Sequence, residues 1–121
     1  MSNETKQALR LRAIACKGFR YVPGMRYLFE LATGVWTWAR VIDGEYGGGL
    51  WDGCVVDLDD PATLGGLLAL VRAAWGRPVV IAGWDGAWWA EPGDGDDPDA
   101  MLTREFTTEA EALVASLEAA P

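Results

Sequence analysis

In the segment DDPATLGGLLALVRAAWGRP, residues 59 to 78, apolar residues recur at Leu64, Leu67, Leu68, Val71 and Trp75. The i, i+3, i+4, i+7, i+11 spacing is that of one helix face, and Ala69, Leu70 and Ala73 carry apolar surface round to the neighbourhood of Arg72, so a largely buried helix is predicted. Both ends are marked. Asp60 can accept from the free N–H groups of the first turn, Pro61 has φ preset for the first helical position, and Gly76 followed by Pro78 stops the helix. Gly65 and Gly66 each cost about 1 kcal/mol of helix propensity, so close approach by another element is expected there. A phosphate-binding loop is not implied, because the glycines lie inside the helix and no lysine follows.

Two further helices are predicted. Asn3 is placed to cap a helix running to about Lys17, with Gly18 at the C-terminal capping position; Ala8, Leu11 and Ala15 gather on one side and Lys6, Arg10 and Lys17 on the other. Near the C-terminus Thr108 and Glu111 form a capping box before the apolar stripe Ala110, Leu113, Val114 and Leu117.

The remaining apolar segments have the period and residue types of strands. RYLFELA and VWTWARVI, separated by Thr33-Gly34, read as a hairpin, and the Asp43-Gly44 turn returns the chain through EYGGGLWDGCVVDL, giving a meander of three or four strands. Trp36, Trp38 and Arg40 share one strand face, which is expected to meet the helices. RPVVIAGW and GAWWAE flank Asp85-Gly86, a type I′ hairpin signal, and LTREFT reads as one more short strand. The fold class is therefore α+β: a single domain over residues 1 to 121, with a meander and a hairpin packed around a central buried helix and N- and C-terminal helices. PGDGDDPDAM is read as a solvated, flexible acidic loop at about 92 to 101.

Composition narrows the chemistry. Half of the 121 residues are apolar, as in a packed domain, and the net charge of −8 opposes direct binding to nucleic acid, which depends on basic side chains neutralising phosphates. Residues 1 to 26 carry six basic side chains against Glu4, while residues 84 to 121 carry ten acidic ones against Arg104, so the two ends are expected to pack together. No apolar run approaches the about 18 residues of a membrane span and no signal peptide is apparent, which points to the cytoplasm. Cys16 and Cys54 have no metal-ligand spacing and are expected to be small buried side chains.

There is no histidine, the only serines are Ser2 and Ser116, and the only lysines, Lys6 and Lys17, lie on the first helix. Nucleophile–base pairs and a Schiff-base lysine are thereby disfavoured, and the chain reads as non-enzymatic, with no catalytic residues and no cofactor. Carboxylate chemistry remains as an alternative. Asp52, Asp57, Asp85 and Glu91 are candidates for a sugar-binding or glycoside-hydrolysing pair beside tryptophans. Asp94, Asp96, Asp97 and Asp99 offer oxygen ligands, but Pro98 and Asp99 break the EF-hand pattern, so no metal site is expected.

Trp84, Trp88 and Trp89 stand directly before this acidic run. Adjacent strand residues point oppositely, so Trp88 and Trp89 cannot share a face, and one lies outside the core unless helices cover both faces. An indole beside aspartates suits contact with a basic protein surface, and the expected partner-binding residues are Trp88, Trp89, Asp94, Asp96, Asp97 and Asp99.

The patterns DPATLGGLLALVRAAWG, FTTEAEALVASLEAA and ALRLRAIACKGFRYVPGMR resemble those of a group of small uncharacterised proteins of tailed phages and prophages of high-GC bacteria. The likeness covers about half the chain. It implies a phage-encoded accessory protein in the cytoplasm of a bacterial host. The expected partner is a host protein such as a basic nucleic-acid-binding defence complex, which the protein would inhibit in an anti-CRISPR-like or nuclease-blocking manner. A phage assembly or virion accessory role is the alternative.

Overall fold

The computed structural model describes residues 2–42, 46–47, 53–93 and 101–121. In chain order its elements are α1 (Asn3–Ala15), β1 (Arg20–Tyr21), β2 (Arg26–Ala32), β3 (Val35–Arg40), β4 (Tyr46–Gly47), β5 (Val55–Val56), α2 (Pro61–Trp75), β6 (Val79–Trp84), β7 (Ala87–Pro92) and α3 (Glu109–Ala119). The fold is α+β, with every strand pairing antiparallel. No helix among the described residues is long and apolar enough to cross a membrane.

The helix punctuation of α2 and α3 follows the sequence. Asp60 caps α2 through the N–H of Thr63, Gly76 ends it with φ 65°, and Thr108 caps α3 through the N–H of Glu111. The N-cap of α1 is Ser2 and not Asn3, because the serine hydroxyl reaches the N–H of Thr5 at 3.1 Å. Gly18 does not cap that helix, which ends at Cys16; a Cβ on Gly18 would lie 3.2 Å from Leu117 Cδ1, so the glycine serves packing against α3. The buried face of α1 is also different from the one expected. Leu9 and Ala13 enter the core, while Ala8, Leu11 and Ala15 are exposed: small apolar residues surround this helix, and docking selects among near-equivalent stripes.

The core gathers Leu9 and Ala13 from α1, Leu67, Leu70 and Val71 from α2, Leu113, Val114 and Leu117 from α3, and Met25, Val56, Val79 and Ala90 from the strands and turns. Leu64, Leu68 and Trp75 are half-buried and Ala69 and Ala73 exposed, so α2 is buried along one side and not around its circumference. The close approach expected at its glycines occurs at Gly66 alone, where a Cβ would meet Val22 at 3.0 Å and Met25 at 3.1 Å. Opposite charge also joins the chain ends. Arg12 binds Glu118 through both carboxylate oxygens, Nη2 to Oε1 at 2.6 Å and Nε to Oε2 at 3.2 Å.

The strands form three small sheets: β3-β2-β5, β1-β4 and β6-β7. The fourth strand thus leaves the expected meander to pair with β1, and LTREFT is reduced to a bridge between Phe106 and Trp88. Pairing of Tyr27 with Ala39 and Val56 puts these three on the inner face, where Tyr27 and Val56 meet the core. The face carrying Trp36, Trp38 and Arg40 does not meet the helices: Trp36 and Trp38 are 47% and 54% exposed. The reason lies in its charges. Two guanidiniums, Arg26 and Arg40, stand opposite each other on that face and stay 27% and 39% exposed although each is held to a buried aspartate, Arg26 Nε to Asp57 at 2.6 Å and Arg40 Nη1 to Asp60 at 2.8 Å; covering two like charges there would be costly. Both cysteines are half-buried free thiols.

Candidate functional site

The two-residue turn between β6 and β7 positions the candidate site. At the β6–β7 hairpin Asp85 and Gly86 both take positive φ, 51° and 78°, as a type I′ turn requires, and Trp84 pairs with Ala87 directly behind it. The register Val80↔Glu91, Ala82↔Trp89 and Trp84↔Ala87 places these six residues on one face; Val79↔Pro92, Ile81↔Ala90 and Gly83↔Trp88 form the other.

Helices α2 and α3 pack on this hairpin. On one face Val79 and Ala90 are fully buried, whereas on the other Val80 is 39% and Trp84 78% exposed. The helices therefore cover one face only. Trp88 is half-buried on the covered side, its ring lying 2.8 to 3.0 Å from where a Cβ of Gly83 would sit, and its backbone bonds to Phe106 in both directions. Trp89 is half-buried on the outer face, where its indole Nε1 donates to Glu91 Oε2 at 3.0 Å. Trp88 and Trp89 thus point oppositely, and of the two only Trp89 belongs to the uncovered surface. Asp94, Asp96, Asp97 and Asp99 lie outside the described residues, as does the interior of the loop expected at about 92 to 101, whose first position, Pro92, belongs to β7.

Beside the turn a shallow groove of about 340 Å³ lies between residues 85–87 and residues 104–107 and reaches Glu111 of α3. Asp85, Glu105 and Glu111 line it together with Arg104, whose guanidinium sits 4.4 Å from the Phe106 ring centroid. Strand alternation pointed towards Trp84 and Val80, since a type I′ turn fixes which residues share a face with Trp89. Nothing in the local sequence placed Glu105 and Glu111 beside Asp85, because their meeting depends on the path from the hairpin to α3.

The carboxylates considered for hydrolysis are dispersed. Asp57 is buried and committed to Arg26, while Asp85 and Glu91 lie on the other hairpin, about 13 Å apart or more by strand rise from Ala87 to Glu91. That exceeds the about 5 to 10 Å of a hydrolytic pair. Asp52 is outside the described residues. Among the described residues no three of Cys, Asp and Glu converge as metal ligands. Comparison of the chain with models of protein families, with curated proteins and with solved structures finds no match.

Proposed function

We propose that the protein is a non-catalytic interaction module that binds a basic protein surface through the outer face and tip of the β6–β7 hairpin. The observation that carries this reading is the exposure of Trp84, 78%, on the hairpin face the helices leave uncovered, beside half-buried Trp89. Tryptophan supplies large rigid contact area at interfaces, and the carboxylates of the adjoining groove favour a cationic partner while repelling nucleic acid itself. In its sharpest form the partner is a host nucleic-acid-binding defence complex, whose phosphate-binding groups the carboxylates of this protein would occupy. Asp94, Asp96, Asp97 and Asp99 are proposed to supply further carboxylates to the same partner.

A second reading has its own support. Leu31, Val35, Trp36 and Trp38 on the β2–β3 hairpin are all about half exposed or more, as an assembly protein that joins copies of itself or of a virion component would require.

Affinity capture from host lysate tests the first reading with three baits: the protein, a Trp84→Ser variant, and a variant with Asp94, Asp96, Asp97 and Asp99 changed to Asn. A basic nucleic-acid-binding protein is expected with the unaltered bait, reduced at least tenfold by each change. Equal retention by all three baits, or retention of no such protein, would overturn the reading, and self-association seen by sedimentation would favour the second.

A further inference from the structure

A cavity of about 290 Å³ opens between α1, the turn after β5 and the start of α3. Leu9, Leu58 and Leu64 provide apolar lining, and the first two are themselves buried. Lys6 and Arg10 stand at its side and share one counter-charge: Lys6 Nζ and Arg10 Nη2 lie 3.4 and 3.6 Å from the same Asp59 oxygen. These are long contacts to a carboxylate that is 56% exposed, so neither cation is fully neutralised. Arg10 is the more telling of the two. Its side chain is 18% exposed, and its Nε is buried with no acceptor among the described residues. Buried guanidinium N–H groups are nearly always hydrogen-bonded, because desolvation without a partner is costly.

The wall contributed by α3 adds donors. Thr108, Glu109 and Ala110 line the cavity, and the Thr108 hydroxyl accepts from the N–H of Glu111, which leaves the first-turn N–H groups of Glu109 and Ala110 as those a helix does not pair internally. Asp59 and Glu109 bring the local charge to zero, which disfavours a multiply charged anion such as phosphate. A single negative charge carried on an apolar body fits both parts of the cavity.

We infer that this cavity is a binding site for a small apolar monocarboxylate, whose carboxylate is received by Arg10 and Lys6 at the start of α3 and whose body rests on Leu9, Leu58 and Leu64. Its volume equals the liquid share of about ten waters at about 30 Å³ each, room for a ligand of the size of phenylacetate. The site borders the hairpin groove at the start of α3, but Lys6 and Arg10 take no part in that groove, so its failure would leave the partner-binding reading untouched.

The test is an NMR chemical-shift titration of the whole chain with phenylacetate and with phenylacetamide, which matches it in shape and lacks the charge. Phenylacetate is expected to shift the amides of Lys6, Arg10, Leu58 and Ala110 saturably, with a Kd at least tenfold below that of the amide. Arg10→Met should bring the two ligands within twofold of one another, and Lys6→Gln should weaken phenylacetate at least threefold. Lys6 is partly exposed, so that variant decides the matter if Arg10→Met does not fold. Equal affinity for acid and amide, shifts centred elsewhere, no saturable shift, or variants that bind phenylacetate as the original does would each overturn the inference.

Discussion

At Asp60 one carboxylate serves two structures. Its Oδ2 accepts from Arg40 Nη1 at 2.8 Å and from the N–H and hydroxyl of Thr63 at 3.0 Å each. The Arg40 guanidinium, followed by the Thr63 bonds, holds this carboxyl down at about 2. A carboxylate with a depressed folded pKa contributes stability that is complete above its unfolded value of about 3.9 and is lost as pH falls towards 2. Stability of the protein should therefore drop between about pH 4 and pH 2, and less steeply in Asp60→Asn, which keeps a capping oxygen but cannot titrate. Urea midpoints of both proteins at pH 6, 4 and 3 check this; parallel curves would mean that the Arg40 pair contributes nothing. The cap was legible from Asp60-Pro61, but Arg40 stands twenty positions earlier and only the fold brings it there.

At the scale of the element, the β6–β7 hairpin depends on a glycine for a reason the sequence does not display. Gly83 lies opposite Trp88, whose ring occupies the volume a Cβ would need, at 2.8 Å. An aromatic ring held by the Phe106 bridge on its own backbone has little freedom to yield. Gly83→Ala should cost about 1 to 3 kcal/mol by overpacking and change the tryptophan emission. A chemical denaturation midpoint and emission maximum equal to those of the original would show that Trp88 does not rest on Gly83. The turn itself was legible, since Asp-Gly readily adopts the two positive φ values of a type I′ turn.

Across the whole molecule, two contacts join the helices and differ in expected weight. The Trp75 indole Nε1 donates to the carbonyl of Ser116 at 2.9 Å in a half-buried setting, linking α2 to α3, whereas the Arg12–Glu118 pair between α1 and α3 is 49% and 39% exposed. Trp75→Phe should cost about 0.5 to 1.5 kcal/mol for the bond, with some lost packing besides, and lower Tm by several degrees. Arg12→Ala should cost less than about 1 kcal/mol, and that loss should shrink in high salt. Thermal melts at two salt concentrations separate them; the reverse order would mean that charge and not the half-buried indole fastens the helices. What the sequence by itself determined is the set of local choices: the α+β class, the starts of α2 and α3 at Asp60 and Thr108, the Asp85-Gly86 turn, the opposed faces of Trp88 and Trp89, and the meeting of basic and acidic ends. All but the last follow from backbone chemistry and period, which a short window of residues contains; the last follows from the charge asymmetry between the two ends of the chain. Only the tertiary structure decided which face each element turns inward. On α1 and on β3 apolar residues occupy both sides, so alternation separates the faces without ranking them. The choice fell to long-range contacts: Leu9 and Ala13 against the core, Tyr27 and Val56 inward, and Trp36, Trp38 and Trp84 left to solvent.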